Sequence, residues 1–103
     1  MRCACTGAWL ALAGWLGQAP AFAADADHGQ RIARRWCSSC HVVAANQRRA
    51  TSEAPPFASI AGRPDFDAGK TAVFLMNPHP KMPDMHLSRK EAADIAAYIA
   101  TLR

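Results

Sequence analysis

The stretch Trp36-Cys37-Ser38-Ser39-Cys40-His41 constrains this chain more than any other. Two cysteines three positions apart, with a histidine directly behind the second, suit four chemistries. They can form a redox dithiol, half of a zinc site, a disulfide, or the attachment point of a haem. The rest of the chain decides among them.

The chain opens MRCACTGAWLALAGWLGQAPAFA. Arg2 gives a short positive start, residues 8 to 16 are an uncharged apolar run, and Ala21-Phe22-Ala23 supplies small residues where a signal peptidase reads. That order predicts a secretory signal over 1–23, removed from a single domain over 24–103. The apolar run is too short to cross a bilayer, which takes about 20 apolar residues. The expected location is the periplasm, with no membrane anchor after cleavage; a retained N-terminal anchor is the alternative. Cys3 and Cys5 precede the apolar run and cannot serve as a lipid-attachment cysteine after cleavage.

Cleavage leaves residues 24 to 103, or 80 residues, with Cys37 and Cys40 as the only cysteines. Trp9 and Trp15 leave with the signal, so Trp36 is the only tryptophan kept. Arg2 leaves too, so 11 Lys and Arg face 8 Asp and Glu, a net charge of +3. No basic run of the kind that binds nucleic acid is present. A domain this small is marginal by surface-to-volume scaling and needs a staple. One disulfide across two intervening residues would remove little unfolded-state entropy. Something else must complete the core.

Three helical stretches stand out. The first covers roughly 26 to 36, with Asp25 or Asp27 as its cap. The second covers roughly 66 to 76, has apolar content in Ala72, Val73, Leu75 and Met76, and stops at Pro78 and Pro80. The third runs from Ser88 to about Leu102 and opens with a Ser88/Glu91 capping box. Ile95, Tyr98, Ile99 and Leu102 recur there at helical spacing, with Arg89, Lys90, Glu91 and Asp94 assigned mostly to the rest of the helix surface. Between the first two helices lies a long Ala- and Pro-rich connection, 42 to 65, which needs a body to lie against. Within it, Phe57-Ala58-Ser59-Ile60 is too short to assign. No strand pattern is convincing.

A structural zinc site wants four ligands, commonly from two pairs, and no second cysteine pair exists. A thioredoxin-like dithiol belongs beside strands in a βαβ unit, which this pattern lacks. Haem attachment fits each neighbouring fact. Each thiol can add to one vinyl group, and the adjacent His41 can bind iron from one side. An exported chain is the right setting, and an apolar disc supplies the missing core. The sixth ligand is expected downstream in HPKMPDMHLS. Met82, followed by Pro83 in a stiff polar segment, is favoured. Met85 competes, and His79 or His86 would give bis-histidine ligation.

With these residues in view, the chain resembles a small bacterial class I cytochrome c over essentially all of 25 to 103. The resemblance rests on Cys37-Ser38-Ser39-Cys40-His41, on Lys81-Met82-Pro83 followed by Leu87-Ser88, and on the ending Ala97-Tyr98-Ile99. It implies an all-α fold of about three to four helices and a long loop, wrapped around one covalent haem c. It also implies that the methionine before proline, Met82, is the axial ligand opposite His41. A glycine of the first helix, here Gly29, is expected against an aromatic of the last, here Tyr98. A proline carbonyl is expected to accept from the histidine's other nitrogen; Pro55 and Pro56 both qualify, with Pro55 preferred. The aromatic usual in the first helix is replaced by Ala33, so packing there should differ.

The resemblance implies a monomeric one-electron carrier and not an enzyme. Its haem would be held by Cys37, Cys40, His41, Met82 and Pro55, the iron by His41 and Met82. Its partners would be redox proteins, a periplasmic dehydrogenase or a terminal oxidase or reductase. Lys81, Arg34, Arg35, Arg48 and Arg49 are candidates to steer acidic partners. A dedicated subunit of a dehydrogenase or oxidase complex is the alternative. A third reading, a haem sensor or peroxidase-like enzyme with a displaceable methionine, would bind carbon monoxide when reduced.

Overall fold

The computed structural model describes residues 22–50, 54–77 and 80–103. Most of the expected signal segment, with Cys3, Cys5, Trp9 and Trp15, lies outside the described residues, as do Pro78 and His79. Among the described residues four helices follow one another: α1 (Ala26–Trp36), α2 (Phe57–Ala61), α3 (Ala68–Met76) and α4 (Arg89–Ala100). The all-α architecture expected from the sequence is the one observed.

Side-chain caps set where the helices begin. Asp25, not Asp27, caps α1 by accepting from the His28 backbone N–H at 2.9 Å. Asp27 then lies in the first turn and Arg34 and Arg35 in the last, where each charge complements the helix dipole. Asp67 caps α3 by accepting from the Lys70 N–H at 2.7 Å, and its backbone is extended. The helix therefore starts two residues later than the apolar pattern suggests, and Phe66 packs on the core from outside it. At α4 both arms of the capping box form: Glu91 N–H donates to Ser88 Oγ at 3.1 Å, and Ser88 N–H donates to a Glu91 carboxylate oxygen at 2.8 Å. The unassigned stretch from Phe57 is the short helix α2, which buries Phe57 and Ala61 four residues apart.

α4 is the element that α1, α2 and α3 all pack against. Its Ile95, Tyr98 and Ile99 join Ile32 and Ala33 of α1, Phe57 and Ala61 of α2, and Val43 from the connection. Ala33 is fully buried at the place where the resemblance leads one to expect an aromatic. The closest approach is at Gly29. A Cβ built there would stand 1.9 Å from the Asp94 carbonyl oxygen and 2.7 Å from the Ile95 nitrogen. The surface nearest Gly29 is thus the Asp94–Ile95 peptide itself rather than the Tyr98 ring. Tyr98 lies a turn further along α4, where its hydroxyl donates to the Val43 carbonyl. A residue without a side chain lets two helix backbones meet, and the aromatic serves another contact.

Asp94 departs from its expected place on the polar surface of α4, because its carboxylate is fully buried. Burial pushes its carboxyl up, but the Asp25 N–H, Lys90 and His28 all donate to it, and together with the Lys90 charge they hold it down at about 2. The three donors lie at 2.7, 2.8 and 2.7 Å respectively. A buried carboxylate this well supplied with donors is tolerated, and it ties the start of α1 to the middle of α4.

Two outcomes follow from this crossing. Gly29→Ala is expected to cost about 3 kcal/mol or more, the upper range for overpacking, read as a lower urea midpoint. The Asp94 carboxyl titrates lower when folded than its ordinary 3.8, so its contribution is present above about pH 4 and is lost as pH falls toward 2. Melting temperatures followed across that window should fall more steeply for the wild type than for Asp94→Asn.

Candidate haem site

The Cys37–His41 segment continues directly from the end of α1. Cys37 N–H donates to the Ala33 carbonyl at 2.8 Å as the helix closes. The Cys37 carbonyl then accepts from Cys40 N–H at 3.1 Å and from His41 N–H at 2.8 Å. Ser38 Oγ donates back to the Arg34 carbonyl at 2.6 Å. Both thiols and the imidazole therefore sit on one tight turn fixed to a helix end, with both cysteines half-buried. Burial, reinforced by the neighbouring Cys40, pushes the Cys37 thiol up to about 11. Redox dithiols depend on a lowered thiol pKa, so this environment is the opposite of what such chemistry requires.

His41 Nδ1 lies 2.7 Å from the Pro55 carbonyl oxygen. A carbonyl can only accept, so Nδ1 carries the proton and Nε2 keeps its lone pair for a metal. The Phe57 ring stands against the imidazole, centroids 5.3 Å apart and tilted by 54°. Phe57 is placed by its own N–H, which donates to the Val42 carbonyl at 3.0 Å, and by Tyr98, whose ring centroid is 6.4 Å away. Pro56 has a different task as the N-cap of α2.

The structure thus brings Cys37, Cys40, His41 and Pro55 into one neighbourhood. Met82 lies on the separate segment that leads into α4, half-buried, as does Met85. An Asx turn shapes the chain between them: His86 N–H donates to Asp84 Oδ1 at 2.8 Å, and His86 takes a left-handed φ of 51°. The His86 imidazole points out to solvent, 3.6 Å from the Asp84 carboxylate. His28 is committed to Asp94. Among the described residues no group of three or more His, Cys, Asp and Glu side chains could hold a metal ion, so no zinc-type set assembles around the cysteines.

Gln47 escaped the sequence reading. Its side chain binds four backbone groups around the Cys37–His41 turn, at 2.9 Å each. A lone glutamine in a polar loop carries no signal of that role.

Residues 24–99 match a family model described as cytochrome c oxidase, cbb3-type, subunit III. The chain is also 57% identical over 97 residues to cytochrome c-552 of Bradyrhizobium diazoefficiens, covering 94% of this chain and 93% of that one. The chain belongs to the cytochrome c family. No solved structure matches it. The cofactor of such a chain is a covalently bound haem c with its iron.

The residues fit that group. Two thiols stand on one turn and the imidazole beside them keeps a free Nε2. Apolar surface is also left over: α3 runs Ala72-Val73-Phe74-Leu75-Met76 yet contributes no buried residue, and Val73 and Phe74 are more than half exposed. An apolar disc has both its anchors and something to lie against.

The backbone beyond His41 depends on the Tyr98 hydroxyl. Tyr98→Phe is expected to cost about 1–3 kcal/mol, because it leaves the buried Val43 carbonyl without its donor. A lower denaturation midpoint with an unchanged slope would register it.

Proposed function

We propose that the protein is a periplasmic electron carrier whose haem c is attached through Cys37 and Cys40 and ligated by His41 and Met82. The observation that carries this reading is the His41–Pro55 contact beside the two thiols. The haem supplies a one-electron Fe(III)/Fe(II) couple. Cys37 and Cys40 would hold it through two thioethers, each S–H adding across one vinyl group, sulfur to one carbon and hydrogen to the other, with no external oxidant or reductant. The Pro55 carbonyl holds His41 in one tautomer and makes the imidazole a stronger donor. Met82 supplies a soft thioether, which favours the ferrous state and raises the potential. Two protein ligands leave no place for a substrate, which suits a carrier and not an enzyme.

Partners are redox proteins. Arg34, Arg35, Arg48, Arg49 and Lys81 are exposed and can steer an acidic surface toward the site. Arg35 also lies over the ring of Trp36, itself about half exposed, 5.2 Å from its centroid. Among the described residues no helix is long and apolar enough to cross a membrane. The signal-like start supports export and removal of 1–23, which would leave the carrier without an N-terminal anchor.

The family description, an oxidase subunit, favours a second reading in which the chain serves a complex permanently. A partner that co-purifies at fixed stoichiometry would establish that reading over the free carrier.

The exported protein is expected to carry one covalent haem and to start at Ala24, both read by mass spectrometry. Met82→Ala should abolish the weak far-red Fe(III)–thioether band in the visible spectrum, and Met85→Ala should retain it. The reverse result transfers the ligand role to Met85, and an exported wild type without covalent haem refutes the reading.

A further inference from the structure

We propose that Gln47 is a positioning residue for the haem-binding turn, its side-chain amide setting the backbone on which both thiols and the imidazole are mounted. The inference rests on the functional reading above and deepens it. Within the turn, the Cys37 carbonyl is already used twice, by Cys40 and His41. The Ser38 and His41 carbonyls accept from Gln47 Nε2, each at 2.9 Å. The same nitrogen lies 2.9 Å from the Arg49 carbonyl. Gln47 Oε1 accepts from Val43 N–H, also at 2.9 Å.

The orientation of this amide has one solution. Three carbonyls can only accept and a backbone N–H can only donate, so Nε2 must face the carbonyls and Oε1 must face Val43. An NH₂ has two hydrogens for its three acceptors, and one of them is shared. One side chain thereby joins the first of the two residues between the cysteines, the haem histidine, the residue two beyond it and the following loop. The backbone of Gln47 is fixed in turn, its N–H donating to the Ala44 carbonyl at 3.0 Å. Pro55 and Phe57 hold the imidazole ring, while Gln47 holds the peptide from which that ring projects.

Two substitutions test this on exported holoprotein. Gln47→Met keeps length and bulk and removes all four bonds. Gln47→Glu keeps an acceptor for Val43 but sets a carboxylate against three carbonyls. If donation to Ser38 and His41 positions the turn, both variants behave alike. At the wild-type midpoint potential their ratio of reduced to oxidised haem should differ from unity by about threefold or more. Hydrogen exchange at the His41 amide should quicken about tenfold in both. Should Gln47→Met fail to accumulate, Gln47→Glu carries the same comparison. Variants that bind haem fully, keep the wild-type midpoint and merely melt lower overturn the proposal, since Gln47 then only stabilises the loop. A wild-type-like Gln47→Glu overturns it as well, because the Val43 bond alone would suffice. Either result is distinct from a failure of the functional reading, which would appear as a wild type lacking covalent haem.

Discussion

The contact between α1 and α4 at Gly29 is the constraint on which the rest depends. A missing Cβ lets the Asp94–Ile95 peptide approach so closely that no other side chain fits. Asp94 locks the same crossing with three donors drawn from both helices and the segment before α1. Two consequences reach the site. The far end of α1 delivers Cys37 to a fixed place beside the core. The next turn of α4 delivers Tyr98 to the Val43 carbonyl, two residues beyond His41.

The histidine is held by parts of the chain distant in sequence. The Pro55 carbonyl accepts from its Nδ1–H, Phe57 stands against its ring, and Gln47 holds its carbonyl. Each holder is placed by another contact: Phe57 by Val42 and Tyr98, Gln47 by Ala44 and Val43. Such layering leaves the imidazole with one orientation and one nitrogen lone pair to offer, which is what outer contacts do for a metal ligand. The thiols receive a different treatment. Their turn is hydrogen-bonded to the end of α1, and burial pushes the Cys37 thiol up, away from the thiolate that disulfide exchange uses.

The small core explains why a cofactor belongs here at all. Buried side chains come from α1, α2, α4 and Val43, while α3 packs against α4 yet buries none of its own residues. An apolar helix that stays half-open is costly in water, and an apolar cofactor is the kind of body that would lower that cost if seated against it. The long 42–65 connection is organised on the same plan. It runs through Val43, Gln47 and Pro55 into α2, and each of these touches the Cys37–His41 turn or belongs to the backbone just beyond it.

The local features were legible in the sequence by itself. The Cys37–His41 pattern, the Asp25 and Ser88 caps, the apolar stripe of α4 and the three main helices follow from spacing and side-chain chemistry over a few residues. What only the tertiary structure decided were relations across the chain. It brought the Asp94–Ile95 peptide closest to Gly29, and it buried Asp94, which pattern alone assigns to the polar side. It also took Pro55 over Pro56 as the neighbour of His41 and gathered four backbone groups around Gln47. The physical reason is range. Caps and helical periodicity act within a turn or two, but the burial of Asp94 rests on donors 66 and 69 residues away, and the choice of Pro55 on a contact across 14 residues.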